Sequence, residues 1–364
     1  MTGEHAADRG GIALAHDYHD AVVRPVLERW CPDVPRAAAR VGAGSDVLGV
    51  DDAMSRDHDW GLRLQLFVAE PDVARVRGVL ERHLPGEFRG HPVRMRFSGS
   101  EQERLAVDVS TVAAFARGTL GFDPRDSTTT SDWLSLSGQA ALEVVSGEVF
   151  EDQTGELTCL RRDLTWYPDD VWRYVVACDW RRLDQELPLM ARAGDRGDDL
   201  GSRVIAARLV DVAVHLAFTL CRAWTPYPKW RGTVFRTLPV DASVGAALGA
   251  TLSAATWSER NDALRAALER LAVFQGQVGL PTRTPALVPF FDRPYLAVEP
   301  SLVPAVVESI ADPAIRALPV GVGTVEQLTD NVDVLVDARR RRAVSGGTER
   351  VHDHDDGRRP RLPG

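Results

Sequence analysis

The chain has 364 residues, with 43 basic against 52 acidic side chains and a formal net charge of −9. That length gives room for two domains with separate cores, and the acidic balance removes the basic surface through which broad nucleic-acid binders release counterions. No run approaches the roughly 20 apolar residues that span a bilayer, the opening Met-Thr-Gly-Glu-His is unlike a secretory signal, and Cys31, Cys159, Cys178 and Cys221 lie far apart without a C-x-x-C pair; a cytoplasmic protein without membrane contact, structural zinc or a disulfide framework is expected.

In chain order, Leu14, Tyr18, Val22, Val26 and Trp30 recur at helical spacing and predict a helix over residues 13–30, ended by Pro32 and Pro35. Residues 36–41 lead, as a short helix or a first strand, into Gly42-Ala43-Gly44-Ser45-Asp46, and residues 48–55 read as a loop. Arg56-Asp57-His58-Asp59-Trp60 and the alternating run 61–68 then predict a β-strand. Pro71 opens a helix to about His83, residues 93–97 alternate as a strand, and Arg104-Leu105-Ala106-Val107-Asp108-Val109 is another. Strand, helix, strand, strand around a small mixed sheet is an α+β arrangement, and no G-x-G-x-x-G follows a strand, so a doubly wound dinucleotide fold is not expected.

From Thr111 the signal turns helical. Residues 121–131 read as a loop, 133–145 as a helix and 147–160 as a short hairpin about Gly155; helices follow over 168–192, 203–224, 243–256, 259–277 and 302–318. The tail from about Arg339, with its four arginines and its His-Asp-His-Asp-Asp, reads as disordered. The expected division is therefore a mixed-sheet domain over 1–125, a mostly helical domain over 126–338 and a disordered tail over 339–364.

The chemistry concentrates in the first domain. Alternation along a strand puts Asp57, Asp59, Gly61, Arg63 and Gln65 on one face and His58, Trp60, Leu62, Leu64, Leu66 and Val68 on the other. One face is polar and open and the other apolar and covered, so both carboxylates point to the open side, while His58 turns away from them. Two carboxylates forced together repel unless a cation lies between them, and hard oxygen donors suit Mg²⁺ (or Mn²⁺), which completes its shell with water and phosphate oxygens. Upstream, Gly42, Gly44 and Ser45 permit a tight turn whose free N–H groups and hydroxyl can hold a phosphate. Asp108, between two valines on a short apolar strand, completes the set as a third acid, since a charge there is costly unless it faces a metal.

Gly-Ser, then Asp-x-Asp after about a dozen residues, then a lone Asp on a later strand resembles the nucleotidyltransferase superfamily, which includes polymerase-β-like and aminoglycoside-modifying enzymes. The resemblance covers roughly residues 36–112. Gly-Ser-Asp-Val-Leu-Gly, Asp-His-Asp-Trp-Gly and Pro-Tyr-Pro-Lys-Trp further resemble an uncharacterised bacterial group, a domain of unknown function in which such a domain precedes a helical one. The resemblance implies a small nucleotidyltransferase domain followed by a mostly helical one. It implies a metal-dependent transferase that moves a nucleoside monophosphate, expected to be AMP from ATP or its counterpart from another NTP, to a hydroxyl of a small-molecule or macromolecular acceptor. Asp57 and Asp59 would hold the metal, Asp108 would bind a second metal or take the acceptor's proton, and Gly44, Ser45 and Arg63 would meet phosphate. Lys229, the one lysine among 43 basic residues, follows a double-proline turn and would reach the phosphates from the helical domain. The competing reading is a non-catalytic nucleotide-binding or regulatory protein on the same fold.

Overall fold

The computed structural model describes residues 10–52, 54–55, 60–97 and 101–349. It begins with α1 (Gly11–Tyr18), a π-helical turn over His19–Val23 and α2 (Arg24–Trp30), one continuous helical run where a helix is predicted. Leu14, Tyr18, Val23 and Leu27 are buried, Val22 and Val26 are only part-buried, and Trp30 is 44% exposed. The wide turn explains the shift. A π-turn inserts one residue into the helical repeat, so the buried spacing steps by five from Tyr18 to Val23 and the apolar face rotates away from the regular pattern.

Residues 36–41 resolve as a strand, β1 (Ala37–Arg40), and β2 (Leu64–Phe67) starts later than the alternating run 61–68 because Gly61 has φ +134 and residues 61–62 bend. Next come α3 (Glu70–His83), with Pro71 in its first turn, and two hairpins, β3 (Glu87–Phe88) with β4 (His91–Pro92) and β5 (Arg94–Arg96) with β6 (Glu103–Leu105). β7 (Val107–Ser110) carries Asp108, and α4 (Val112–Leu120) follows, its first turn capped by the Thr111 hydroxyl, which accepts from the Ala114 N–H at 2.9 Å. The short α5 (Thr130–Leu134) and α6 (Gly138–Val145) replace the single helix expected over 133–145.

The expected hairpin about Gly155 is instead β8 (Glu148–Asp152) followed by α7 (Glu156–Asp163). The Asp152 carboxylate accepts from the Gly155 and Thr158 N–H groups at 2.9 and 2.8 Å, and Gly155 takes φ +72, so the acid that ends the strand also starts the helix. β8 pairs with β1, giving a four-stranded mixed sheet in the order β7-β2-β1-β8 with β2 and β7 parallel and the other pairs antiparallel. Contacts divide the chain into two compact units, residues 1–128 with 140–165, and 129–139 with 166–364. In the first, the sheet's apolar face is covered by α1, α2 and α3, with Leu62, Leu64, Leu66, Val107 and Val109 packed among Leu14, Tyr18, Leu27, Val76 and Leu80.

The second unit is helical. α8 (Asp169–Asp195) and α9 (Asp199–Leu220) pack along one another, followed by α10 (Pro228–Phe235), α11 (Ala242–Ser253) and α12 (Trp257–Gln277). A hairpin of β9 (Leu287–Pro289) and β10 (Leu296–Val298), unseen in the sequence, precedes α13 (Leu302–Glu308) and α14 (Pro313–Arg316), two helices where one was expected because Pro313 starts the second. After α15 (Val325–Leu328) and α16 (Val332–Leu335), the tail expected to be disordered from Arg339 is helical over α17 (Ala338–Glu349). Arg341 explains it: this buried side chain donates to the carbonyls of Ser135 and Leu335 at 3.2 and 2.8 Å, tying α17 down. The architecture is thus α+β, a small mixed sheet with a mostly helical region.

Candidate functional site

The turn after β1 is built around an ion pair that sequence reasoning did not single out. Arg40, 1% exposed, donates from Nε and Nη2 to the two oxygens of Asp46, both at 2.7 Å, and from Nη1 and Nη2 to the carbonyls of Val41 and Ala43 at 2.7 and 3.0 Å. A bidentate pair satisfied by further hydrogen bonds is the arrangement in which a buried charge is tolerable. It runs directly over Gly44, where an added Cβ would collide with the Arg40 Nη2 and an Asp46 oxygen and where φ is +148. Gly44 is therefore a glycine for steric reasons, and Gly42, at φ +85, opens the turn. The signal was the Asp46 of the Gly-Ser-Asp motif, whose partner sits only six residues upstream.

Asp108 lies in register with Gln65 on the neighbouring strand, so the two side chains share the sheet face opposite the core. Val107 and Val109 are buried and Asp108 is exposed, as the strand alternation predicts. Gln65 joins this face to the turn: its Oε1 accepts from the Val41 N–H at 3.2 Å, and its Nε2 lies 3.4 Å from where a Gly42 Cβ would stand. The Phe67 end of the same face is closed by Phe115 of α4, ring centroids 5.2 Å apart, which leaves the Asp108 and Gln65 end open. Ser45 is half-buried beside the turn.

Arg63 does not stand free as a phosphate hook. It donates from Nη1 to the Ala43 carbonyl at 2.8 Å, the carbonyl that Arg40 also meets, and lies 5.6 Å from the Phe97 ring, so the two arginines brace the turn together. Behind the turn, the Gly11 N–H at the start of α1 donates to Asp51 at 3.2 Å, and a Cβ on Gly11 would lie 2.8 Å from the Asp46 carboxylate. Asp57 and Asp59, together with His58, lie outside the described residues. Among the described residues no group of three His, Cys, Asp or Glu side chains is placed to hold a metal ion.

In the helical unit Lys229 is exposed in the first turn of α10, its Nζ 4.7 Å from the Trp230 ring centroid. That is the stem-on-tryptophan packing of a surface lysine, with a cation–π contact added. Tyr167, Trp172 and Tyr174 are buried and Trp166 half-buried, as core residues rather than a stacking platform, and the Trp172 indole donates to the Thr219 carbonyl at 2.7 Å.

The same unit holds a buried charged cluster. His215 Nδ1 lies 2.8 Å from Asp179 Oδ2, its Nε2 is 3.9 Å from Glu326, and Gln327 donates to Asp179 Oδ1 at 2.7 Å. Burial works against the charged imidazole, but the Asp179 carboxylate, helped by Glu326, outweighs it and holds His215 above its ordinary value. Burial likewise pushes the Glu326 carboxyl up, only partly offset by His215 and Arg231. Tyr167 is pushed up by burial and then by both acids.

Residues 133–231 match the family model DUF4037, a domain of unknown function. No curated protein matches the chain. A crystal structure of a nucleotidyltransferase-like protein from Exiguobacterium sibiricum 255-15 aligns with 71% of this chain and 74% of its own at 14% identity and a TM-score of 0.33. No helix among the described residues is long and apolar enough to cross a membrane.

Proposed function

We propose that the protein is a metal-dependent nucleotidyltransferase that moves AMP from ATP to a hydroxyl of an acceptor and releases pyrophosphate. The observation that supports this reading is the braced glycine turn joined through Gln65 to an exposed aspartate on the open face of a mixed sheet. The acceptor oxygen attacks the α-phosphorus, the bond from that phosphorus to the bridging oxygen breaks, and the electron pair leaves with pyrophosphate. Asp108 is exposed and makes no hydrogen bond among the described residues, so its carboxylate is available to take the hydroxyl proton. The N–H groups of the turn other than that of Gly42, which donates to the Glu143 carbonyl, and the Ser45 hydroxyl would hold phosphate oxygens, on a backbone fixed beforehand by Arg40 and Arg63.

The donor set fits a hard divalent cation, since Asp57, Asp59 and Asp108 offer only carboxylate oxygens. When bound by these residues, Mg²⁺ or Mn²⁺ would supply charge neutralisation of the triphosphate. The test is calorimetry of ATP binding with and without Mg²⁺. Binding is expected to need the metal and to weaken at least about tenfold in the Asp57→Asn, Asp59→Asn double variant, about 1.4 kcal/mol; unchanged affinity in that variant would sink the assignment.

A further inference from the structure

Arg161 of α7 is a half-buried guanidinium with no carboxylate beside it. Its Nη2 donates to the carbonyls of Val145 and, at 3.4 Å, Gly147, the end of α6 and the residue before β8. Burial pulls the group below its usual value, and no acid counters this. The contrast within the unit is sharp: Arg36 has Glu151 at 2.8 Å, Arg40 has Asp46 at 2.7 Å and Arg125 has Asp123 at 2.6 Å. A half-buried guanidinium held by carbonyls alone keeps its full charge unneutralised, and an anion that reached its remaining N–H groups would be bound by charge-assisted hydrogen bonds.

The segment that Arg161 grips is the one packed on the glycine turn. The Gly42 N–H donates to the Glu143 carbonyl at 2.6 Å, and the Gly147 N–H donates to the Val47 carbonyl at 3.0 Å. Gly147 sits so close to the Arg40 carbonyl that an added Cβ would collide with it, so no side chain separates the two segments. α7 packs on α4, whose Phe115 meets Phe67 on the sheet face that carries Gln65 and Asp108. Among the described residues nothing accepts from the Arg161 Nε or Nη1.

We propose that Arg161 is a further anion contact of this site, meeting the polyphosphate of the nucleotide from the β8 edge of the sheet, across from Asp108 on the β7 edge. The inference rests on the nucleotidyltransferase reading for its ligand, but the anion chemistry can be tested separately. Mg-ATP and inorganic pyrophosphate are titrated calorimetrically into the full-length wild type, Arg161→Met and Arg161→Lys, with melting temperatures recorded beside them. Arg161→Met is expected to weaken both ligands about tenfold. Arg161→Lys keeps the charge and one carbonyl bond but cannot span carbonyls and phosphate together, so it recovers only part of the loss, and it carries the test if the Met variant does not fold. Should the wild type bind Mg-ATP in a manner that depends on Asp57 and Asp59 while both Arg161 variants bind as tightly, Arg161 is only a cap for α6 and the inference falls alone. Pyrophosphate binding that depends on Arg161 in a protein that does not bind ATP would uphold the anion contact and remove the nucleotide reading. A lowered melting temperature with undiminished pyrophosphate affinity overturns it.

Discussion

Asp108→Asn is expected to lower turnover by about 10² or more, the usual size of a lost acid-base group, while leaving the fold and most of the nucleotide affinity in place. The side chain is exposed, and the buried Val107 and Val109 on either side hold β7 in the sheet without it. No hydrogen bond among the described residues depends on the carboxylate, so the amide removes basicity and charge but no packing; an exposed substitution of this kind stays within about 0.5 kcal/mol in stability. The assay is pyrophosphate release with labelled nucleotide and a metabolite pool, which also identifies the acceptor. A regulatory or nucleotide-binding protein on the same fold gives another pattern: the wild type releases no pyrophosphate with any acceptor, and the variant alters affinity alone. Equal turnover in the two proteins would remove Asp108 from the chemistry.

Periodicity and punctuation carry the parts of this fold that depend on neighbours in sequence. α3, α8 and α12 appear where Pro71, Pro168 and the apolar repeats put them, and the alternation from Leu62 to Leu66 survives as a buried and a polar face, ending at Phe67, which is buried under Phe115. What escapes is set by groups that act over distance or break a period. The π-turn at His19–Val23 rotates a helical face with no residue that announces it, and of the hairpin expected over 147–160 the first arm is β8 while the second is the helix α7, which the Asp152 carboxylate starts by accepting from the Gly155 and Thr158 N–H groups. α17 looks disordered in composition, yet Arg341 reaches the Ser135 carbonyl 206 residues away. The site divides in the same way. Gly44, Ser45 and Asp108 are legible as residue types at a spacing, whereas the roles of Arg40, as partner of Asp46, and of Gln65, as the link between turn and strand, emerge only when the chain is folded. For Arg63, expected from the sequence to meet phosphate, folding adds a second task, since its Nη1 braces the Ala43 carbonyl of the turn.

The His215 cluster supplies the second large effect. Asp179 and His215 are both buried, and Asp179 also accepts from Gln327 of α15, so Asp179→Asn removes the charged hydrogen-bond partner of the imidazole and leaves Glu326, 3.9 Å from Nε2, as the remaining acid beside it, while changing almost no volume. Removing one partner of a buried pair costs about 3–5 kcal/mol, and a loss near the lower end is expected at pH 6. The pH dependence follows from the direction of each shift. His215 lies above its ordinary value of roughly 6.5, so the stability it contributes is fully present below that pH and is lost as pH rises through the folded value. Glu326 is also raised, and its protonated form is the one favoured by folding, so its contribution too is present at low pH and lost on the way up through its own folded value. Both groups bind protons more strongly in the folded chain, and the wild type should lose stability as pH rises above about 6.5, the side on which His215 acts. In Asp179→Asn the opposing influence of burial, the largest on His215, is no longer outweighed, and the fall above pH 6.5 should flatten or reverse. Urea midpoints for both proteins between about pH 6 and 9 test this directly. A variant that loses under about 1 kcal/mol, or that keeps the wild-type slope with pH, would show that the pair neither holds the helices together nor sets the proton linkage.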